Sequence, residues 1–208
     1  DGTYTALLTA PTSTGTATIS GTVNGAPAND TASVSFVPGA ATTANSQISA
    51  AAGSITADGT STTTVTVQLV DANGNNLTSG GDTVTLATDS GTLSTVTDNG
   101  DGTYSAILTA STTAGTATIS GTVNGSPIAS STAVSFTVGS ADASASLIQA
   151  TPDSLIADGS SQSSIQITAR DANGNPLATG GDSVTLSASI GNLGAVTDNG
   201  DGTYTATY

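Results

Sequence analysis

The sequence predicts an all-β protein built from tandem β-sandwich repeats, and three observations support this prediction. The stretch at 98–104 recurs 100 residues later at 198–204, and its last four residues also open the chain at 1–4. A fixed period of this kind is the signature of a repeat architecture. Val, Ile and Leu alternate with Thr and Ser over short segments, as in half-buried strands. Asn-Gly dipeptides, which favour tight hairpin turns, separate many of these segments.

The period divides the chain into one complete unit and two partial ones. Residues 1–38 align without gaps with 101–138, and residues 139–208 align with 39–108. We therefore expect a complete unit at 39–138, the C-terminal part of a unit at 1–38, and the N-terminal part of another at 139–208. The boundaries fall at Pro38-Gly39 and Val138-Gly139 without a long spacer, which favours units arranged end to end over a flexible chain of domains.

The complete unit contains seven segments with strand character. The first is broken near Gly53, and the second is followed by a turn at 71–74. The segments lie at 46–57, 62–70, 83–88, 92–97, 103–110, 116–124 and 131–138. Seven short strands in about 100 residues are typical of an immunoglobulin-like sandwich. The inward positions predict a core of Val65, Val67, Leu69, Val84, Leu86, Tyr104, Leu108, Ile119, Val123, Val134 and Phe136.

Composition excludes several classes of function. The net charge is −14, Arg170 is the single basic residue, and all fifteen acidic residues are Asp. Such a chain cannot neutralise phosphates, so we expect no nucleic-acid partner. No apolar run approaches the ~20 residues of a membrane helix, so we expect no membrane insertion. The chain has no His, Cys or Lys to serve as base, nucleophile or electrophile, and we predict that it is not an enzyme and needs no cofactor.

Several motifs together resemble a known family. They are Ala-Asp-Gly at 57–59, Asp-Ala-Asn-Gly-Asn at 71–75, Asp-Asn-Gly-Asp-Gly-Thr-Tyr at 98–104 and Gly-Thr-Ala-Thr-Ile at 115–119. As a set they are similar to the bacterial Ig-like repeats of invasin- and intimin-type adhesins, and the corner at 98–104 is also similar to filamin-type Ig repeats. The resemblance covers almost the whole chain. It implies an extracellular protein on a bacterial cell surface, in which such repeats serve as stalks and spacers.

The corner at 98–104 has the oxygen-rich spacing of the first half of a calcium loop. A complete EF-hand loop would need a bidentate Glu at its twelfth position, and the chain has no Glu. One interpretation is a turn whose Asp and Asn side chains bind their own backbone. The alternative is a calcium site, which the net charge of −14 would favour. Its candidate ligands are Asp98, Asn99, Asp101, Asp198, Asn199 and Asp201.

Three functions are compatible with the sequence. The first is a structural stalk or spacer of a bacterial adhesin, which extends a distal binding head toward a host or neighbouring cell. The second is a subunit of an extracellular filament, in which residues 1–38 of one copy complete residues 139–208 of another by strand complementation. The third is an Ig-like module that binds a carbohydrate or a receptor, although four Tyr and two Phe provide little aromatic surface. The broken terminal units also fit a window within a longer chain of repeats.

Overall fold

The computed structural model describes residues 2–208, and their regular structure consists of β-strands. Within this range no helix is long and apolar enough to cross a membrane. The first part of the chain holds β1 (Gly15–Ile19), β2 (Thr22–Val23), β3 (Ala26–Pro27) and β4 (Ala32–Phe36). The all-β, immunoglobulin-like class expected from the sequence is confirmed.

Ten strands form two sheets in the middle of the chain. They are β5 (Gln47–Ala50), β6 (Ser54–Thr56), β7 (Thr62–Gln68), β8 (Val84–Thr88), β9 (Thr92–Leu93), β10 (Thr97–Asp98), β11 (Thr103–Thr109), β12 (Gly115–Val123), β13 (Ser126–Pro127) and β14 (Thr132–Thr137). One sheet has the order β10-β11-β7-β5, and β9 also pairs with β11. The other has the order β13-β12-β14-β6, and β8 also pairs with β12.

The broken first strand of the sandwich belongs to both sheets. β5 pairs antiparallel with β7, whereas β6 pairs parallel with β14 on the opposite sheet. Gly53 lies between the two halves and Ser135 donates its N–H to the Gly53 carbonyl. The interruption predicted near Gly53 is therefore the point at which an edge strand crosses from one sheet to the other.

The strand predicted at 92–97 is wrong in its continuity, because the structure divides it into β9 and β10. Leu93 is opposite Leu108 in β11, but Thr97 is opposite Ser105, so one extra residue lies on the β9–β10 side. The Ser94 hydroxyl accepts a hydrogen bond from Ile107 N–H at 2.9 Å in this interval. One extra residue on one strand, with a side-chain hydroxyl in place of a main-chain partner, is a β-bulge. The alternation of residue types does not reveal a bulge.

The side chains between the two sheets form the core that the alternation predicted. Ten of the eleven predicted residues belong to the buried cluster, and Leu86 packs against it while partly exposed. Val65, Val67, Leu69, Leu108, Ile119 and Val134 have no exposed surface.

The last part of the chain forms one sheet from β15 (Leu147–Thr151), β16 (Ser164–Thr168), β17 (Thr197–Asp198) and β18 (Thr203–Thr207). Its order, β15-β16-β18-β17, matches β5-β7-β11-β10 of the middle unit. The first part of the chain repeats the other sheet only locally, since β1 pairs with β4 and β2 pairs with β3. As a result Val23 is 69% exposed, whereas its counterpart Val123 is 4% exposed. The division at 38/39 and 138/139 stays a prediction.

Candidate functional site: the tyrosine corner and the loop at the unit boundary

Tyr104 holds the repeated corner against the sandwich. Its ring is buried in β11, and its hydroxyl oxygen accepts a hydrogen bond from Asp82 N–H at 2.9 Å. Tyr204 makes the same bond with Asp182 N–H, also at 2.9 Å. Both tyrosines therefore have the structural role of a corner tyrosine, with a buried ring and a hydroxyl bonded to the backbone.

The Asp98 carboxylate connects two turns of the same corner. It accepts hydrogen bonds from Gly81 N–H at 2.8 Å and from Gly100 N–H at 2.9 Å. A Cβ atom on Gly80 would collide with this carboxylate, so the close approach requires glycine there. Asp198 repeats these bonds one period later, with Gly181 and Gly200 as donors.

The remaining candidate calcium ligands also bind within their own corner. The Asn99 side-chain amide donates to the Thr103 hydroxyl at 2.9 Å. Asp101 Oδ1 accepts from Thr103 N–H at 3.0 Å and from the Thr103 hydroxyl at 2.6 Å. Asn199 and Asp201 have the same partners at Thr203. Residues 2–208 contain no group of three or more Asp, Glu, His or Cys side chains suited to hold one metal ion. Calcium binding at this corner stays a prediction.

A second site lies at Asp71, in the loop after β7. The side chain is only 2% exposed. Its Oδ1 accepts hydrogen bonds from Asn73 N–H at 2.9 Å and Asn75 N–H at 2.8 Å. Its Oδ2 accepts from Gly39 N–H at 2.9 Å and from the Asn75 side-chain amide at 2.9 Å. These bonds, first of all the one from the Asn75 side chain, lower the pKa of Asp71 to about 2.

The Asn75 side chain extends from this loop to the preceding part of the chain. Its Nδ2 donates to the Thr12 carbonyl at 2.8 Å, and its Oδ1 accepts from Thr14 N–H at 3.3 Å. Thr12 and Thr14 lie before Gly39, on the other side of the predicted boundary. The loop thus binds Gly39 through Asp71 and the preceding segment through Asn75.

The same arrangement recurs at the second boundary. Asp171, 2% exposed, accepts from Gly139 N–H at 3.0 Å and from Asn175 N–H at 2.9 Å. Asn175 Nδ2 donates to the Thr112 carbonyl at 2.9 Å, and its Oδ1 accepts from Ala114 N–H at 3.0 Å. Asn173 adds a further bond to the preceding unit, from its side-chain amide to the Ala57 carbonyl at 3.2 Å.

The sequence identified this loop as a turn and as one of the motifs of the family resemblance. Gly74 donates its N–H to the Asp71 carbonyl at 3.2 Å, so the turn predicted at 71–74 is confirmed. Its part in binding the preceding unit was not foreseen. One signal for this role was present in the sequence. A tight turn needs only Asn-Gly, yet the whole motif Asp-Ala-Asn-Gly-Asn recurs at 71–75 and 171–175.

The fold and the repeated corner define a class of protein, the immunoglobulin-like repeat. The family model described as "Invasin, domain 3" matches residues 1–39, 42–139 and 142–208. This chain therefore belongs to the invasin domain 3 family, and the resemblance stated from its motifs is confirmed.

Solved structures of adhesins are similar to this chain. The crystal structure of invasin, a bacterial integrin-binding protein, has a TM-score of 0.63 and 31% identity over 94% of this chain and 40% of that one. InvD of Yersinia pseudotuberculosis has a TM-score of 0.56 and 36% identity over 78% of this chain and 48% of that one. The Escherichia coli adhesin FdeC has a TM-score of 0.60 and 27% identity over 94% of this chain and 65% of that one. The chain thus spans less than two thirds of the length of each of these structures.

Proposed function

We propose that this chain is a structural spacer, a stalk segment that carries the binding region of a bacterial adhesin away from the cell surface. Its membership of the invasin domain 3 family supports a role in an adhesin. The observation that carries the spacer role is the recurrence of the same boundary contacts one period apart. Asn75 and Asn175 each bind the main chain of the preceding segment, with four side-chain hydrogen bonds of 2.8–3.3 Å in total.

Direct hydrogen bonds between successive units favour a stiff arrangement over freely jointed domains. Gly39 N–H donates to Asp71 and Gly139 N–H donates to Asp171, so the start of each linker is fixed to the loop of the unit that follows it. A spacer separates the binding region from the cell surface, and a stiff chain spans a greater end-to-end distance per residue than a flexible one. We therefore propose that the units follow one another end to end.

The chemistry of the chain supports a role without catalysis, and its likeness to adhesins supports a location outside the cell. The Asp side chains of the corners and boundary loops accept hydrogen bonds from their own turns, as Asp58 does from Thr60 and Ser61. We propose that the partners of this chain are further repeats at its two ends. Contact with a host or neighbouring cell would be made by regions beyond residues 1–208.

Displayed length tests the spacer role. The 208-residue chain is placed between a bacterial surface anchor and a peptide epitope, and the epitope height above the membrane is measured by super-resolution imaging. Insertion of a second copy of residues 39–138 after Val138 adds one complete repeat and preserves a boundary of the original kind at its Val138–Gly39 junction. We expect the height to rise by the length of one repeat at equal surface density. Equal heights for the two chains would reject the spacer role.

One observation favours filament formation as a second candidate. Residues 115–125 are identical to residues 15–25. In the middle unit, residues 115–125 belong to the sheet that packs against β5, β7, β11 and β10, and these four strands correspond to β15, β16, β18 and β17. Ile148 is 66% exposed on that last sheet, whereas Ile48 is 5% exposed in the middle unit. Residues 15–36 of a second copy have the apolar residues to cover it. Size-exclusion chromatography tests this: polymers that grow with concentration support the filament, and a monomer at every concentration rejects it.

A further inference from the structure

We infer that Asn75 and Asn175 are positioning residues that fix the angle between successive repeats by binding the main chain of the preceding repeat. This inference rests on the proposed spacer role, because only a chain of joined repeats has such an angle. The partner is a loop of a neighbouring repeat, at 12–14 for Asn75 and at 112–114 for Asn175.

The amide of Asn175 matches its partner at two points. A carboxamide presents a donor and an acceptor side by side, and the main chain at Thr112 and Ala114 presents an acceptor and a donor two residues apart. The Nδ2–Thr112 O distance is 2.9 Å and the Oδ1–Ala114 N distance is 3.0 Å. Two parallel bonds resist rotation about either one, whereas a single bond would act as a pivot. The contact therefore constrains orientation as well as distance.

Asp171 holds the Asn175 amide in its binding orientation independently of the neighbouring loop. Asn175 Nδ2 lies 2.9 Å from Asp171 Oδ2, and this bond determines which side of the amide carries the donor. The same carboxylate accepts Gly139 N–H at 3.0 Å, so it also connects the linker to the loop. Asn175 is 7% exposed and Asp171 is 2% exposed, so water competes little for these bonds. Preorganisation of this kind reduces the entropy lost when a contact forms.

The contact does not depend on the side chains of the neighbouring loop. Thr14 and Ala114 occupy the same position, as do Pro11 and Ser111, yet both loops bind the amide through carbonyl and N–H groups alone. Main-chain recognition is insensitive to such substitutions as long as the position keeps its N–H. The coupling is therefore generic: any repeat of this chain can follow any other at the same angle.

Distance measurement between repeats tests this inference. The chain has no Cys, so cysteines introduced at the exposed Ala87 and Ala195 can carry spin labels. Double electron–electron resonance then gives the distribution of distances between the two labels. Asn175→Ala removes both bonds to the preceding repeat, and Ala114→Pro removes the single donor on the other side. We expect the distribution to widen at least twofold in both variants. Asn192→Ala, in an exposed loop, serves as the matched control and leaves the width unchanged.

The outcomes separate the inference from its alternatives. Unchanged widths in both variants, with the folded state verified by circular dichroism, overturn it. Widening in Asn175→Ala alone also overturns it, because the effect would then come from the loop itself and not from the neighbouring main chain. The epitope test of the spacer role is independent. If the height rises with an inserted repeat while the widths stay unchanged in both variants, the positioning role fails and the spacer role stands.

Discussion

Gly102 satisfies two separate requirements of the tyrosine corner. Its φ angle is +84°, and a Cβ atom there would collide with the Leu77 carbonyl. Gly100, two residues earlier, has φ +80° but open space around it. We expect Gly100→Ala to lose about 1–2 kcal/mol of unfolding free energy, the usual cost of a side chain in the left-handed region. Gly102→Ala should lose about 1–3 kcal/mol more, the usual cost of overpacking. Urea unfolding of both variants measures the difference, and equal losses would contradict the close contact.

Asp71 should make stability depend on pH in the acid range. Its pKa is lowered to about 2 in the folded chain, from an ordinary value of 3.8. A carboxyl group with a lowered pKa stabilises the fold above its ordinary pKa and loses this contribution as pH falls through the folded value. We therefore expect Asp71→Asn to unfold more easily than the unaltered chain at neutral pH. The gap should narrow as pH falls from about 4 to about 2.

Comparison of the two chains at each pH isolates this effect. Acid also neutralises other carboxylates and relieves the repulsion within a chain of net charge −14, so the unfolding midpoint of one chain alone is ambiguous. Repulsion changes almost equally in both chains and cancels in the difference. A difference between the two midpoints that stays constant from pH 7 to pH 2 would contradict the role of the Asp71 carboxylate.

Calcium binding at Asp98, Asn99 and Asp101 has a direct thermal test. An ion that binds only the folded state raises the unfolding midpoint according to its concentration and affinity. If the corner binds calcium, the midpoint in millimolar calcium exceeds that in EGTA, and Asp98→Asn reduces the difference. Identical midpoints in the two buffers would instead assign these side chains to the turn alone.

β1 and β12 provide a matched pair of strands within one chain. Both begin with Gly-Thr-Ala-Thr-Ile and pair in the same register with β4 and β14. Ile119 is fully buried between two sheets, whereas Ile19 is 41% exposed. We expect Ile119→Ala to lose about 2–5 kcal/mol of unfolding free energy, the usual cost of truncating a buried aliphatic side chain. Ile19→Ala, its control, should lose far less, since little of its environment changes. Similar losses for the two variants would contradict the packing described for β12.

The strands of the complete unit could be predicted from sequence because they obey simple alternation. Val65 and Val67 in β7 and Leu69 just after it are fully buried, as their spacing indicated. The division between β9 and β10 could not be predicted, because a bulge changes the register of pairing without changing the residue pattern. The exchange of β5 and β6 between sheets was visible only as an interruption at Gly53. Alternation reports which face of a strand is buried, and it does not report which sheet the strand joins.

The boundary loop shows a second limit of reading the sequence. Asp-Ala-Asn-Gly-Asn has the composition of an ordinary turn, and the turn is present. The bonds of Asn175 depend on residues 112–114 of the preceding segment, which are 61–63 positions away in the chain. Such a contact has no local signature. Repetition of the motif at a fixed distance was the only indication that its polar residues had a further role.

The proposed spacer role requires the chain of repeats to be stiff. At the predicted boundaries Asp71 and Asp171 accept hydrogen bonds from Gly39 and Gly139, and Asn75 and Asn175 donate hydrogen bonds to the segment before them. In the proposed end-to-end arrangement, successive units do not fold back on one another. The shape of the chain in solution should therefore be elongated.

Small-angle X-ray scattering of the 208-residue chain measures this elongation. A compact globule of this length has a radius of gyration of about 17 Å. We predict a radius well above this value and a pair-distance distribution with a long tail, as expected of an elongated particle. A radius near 17 Å with a symmetric distribution would contradict the end-to-end arrangement, and the spacer role with it.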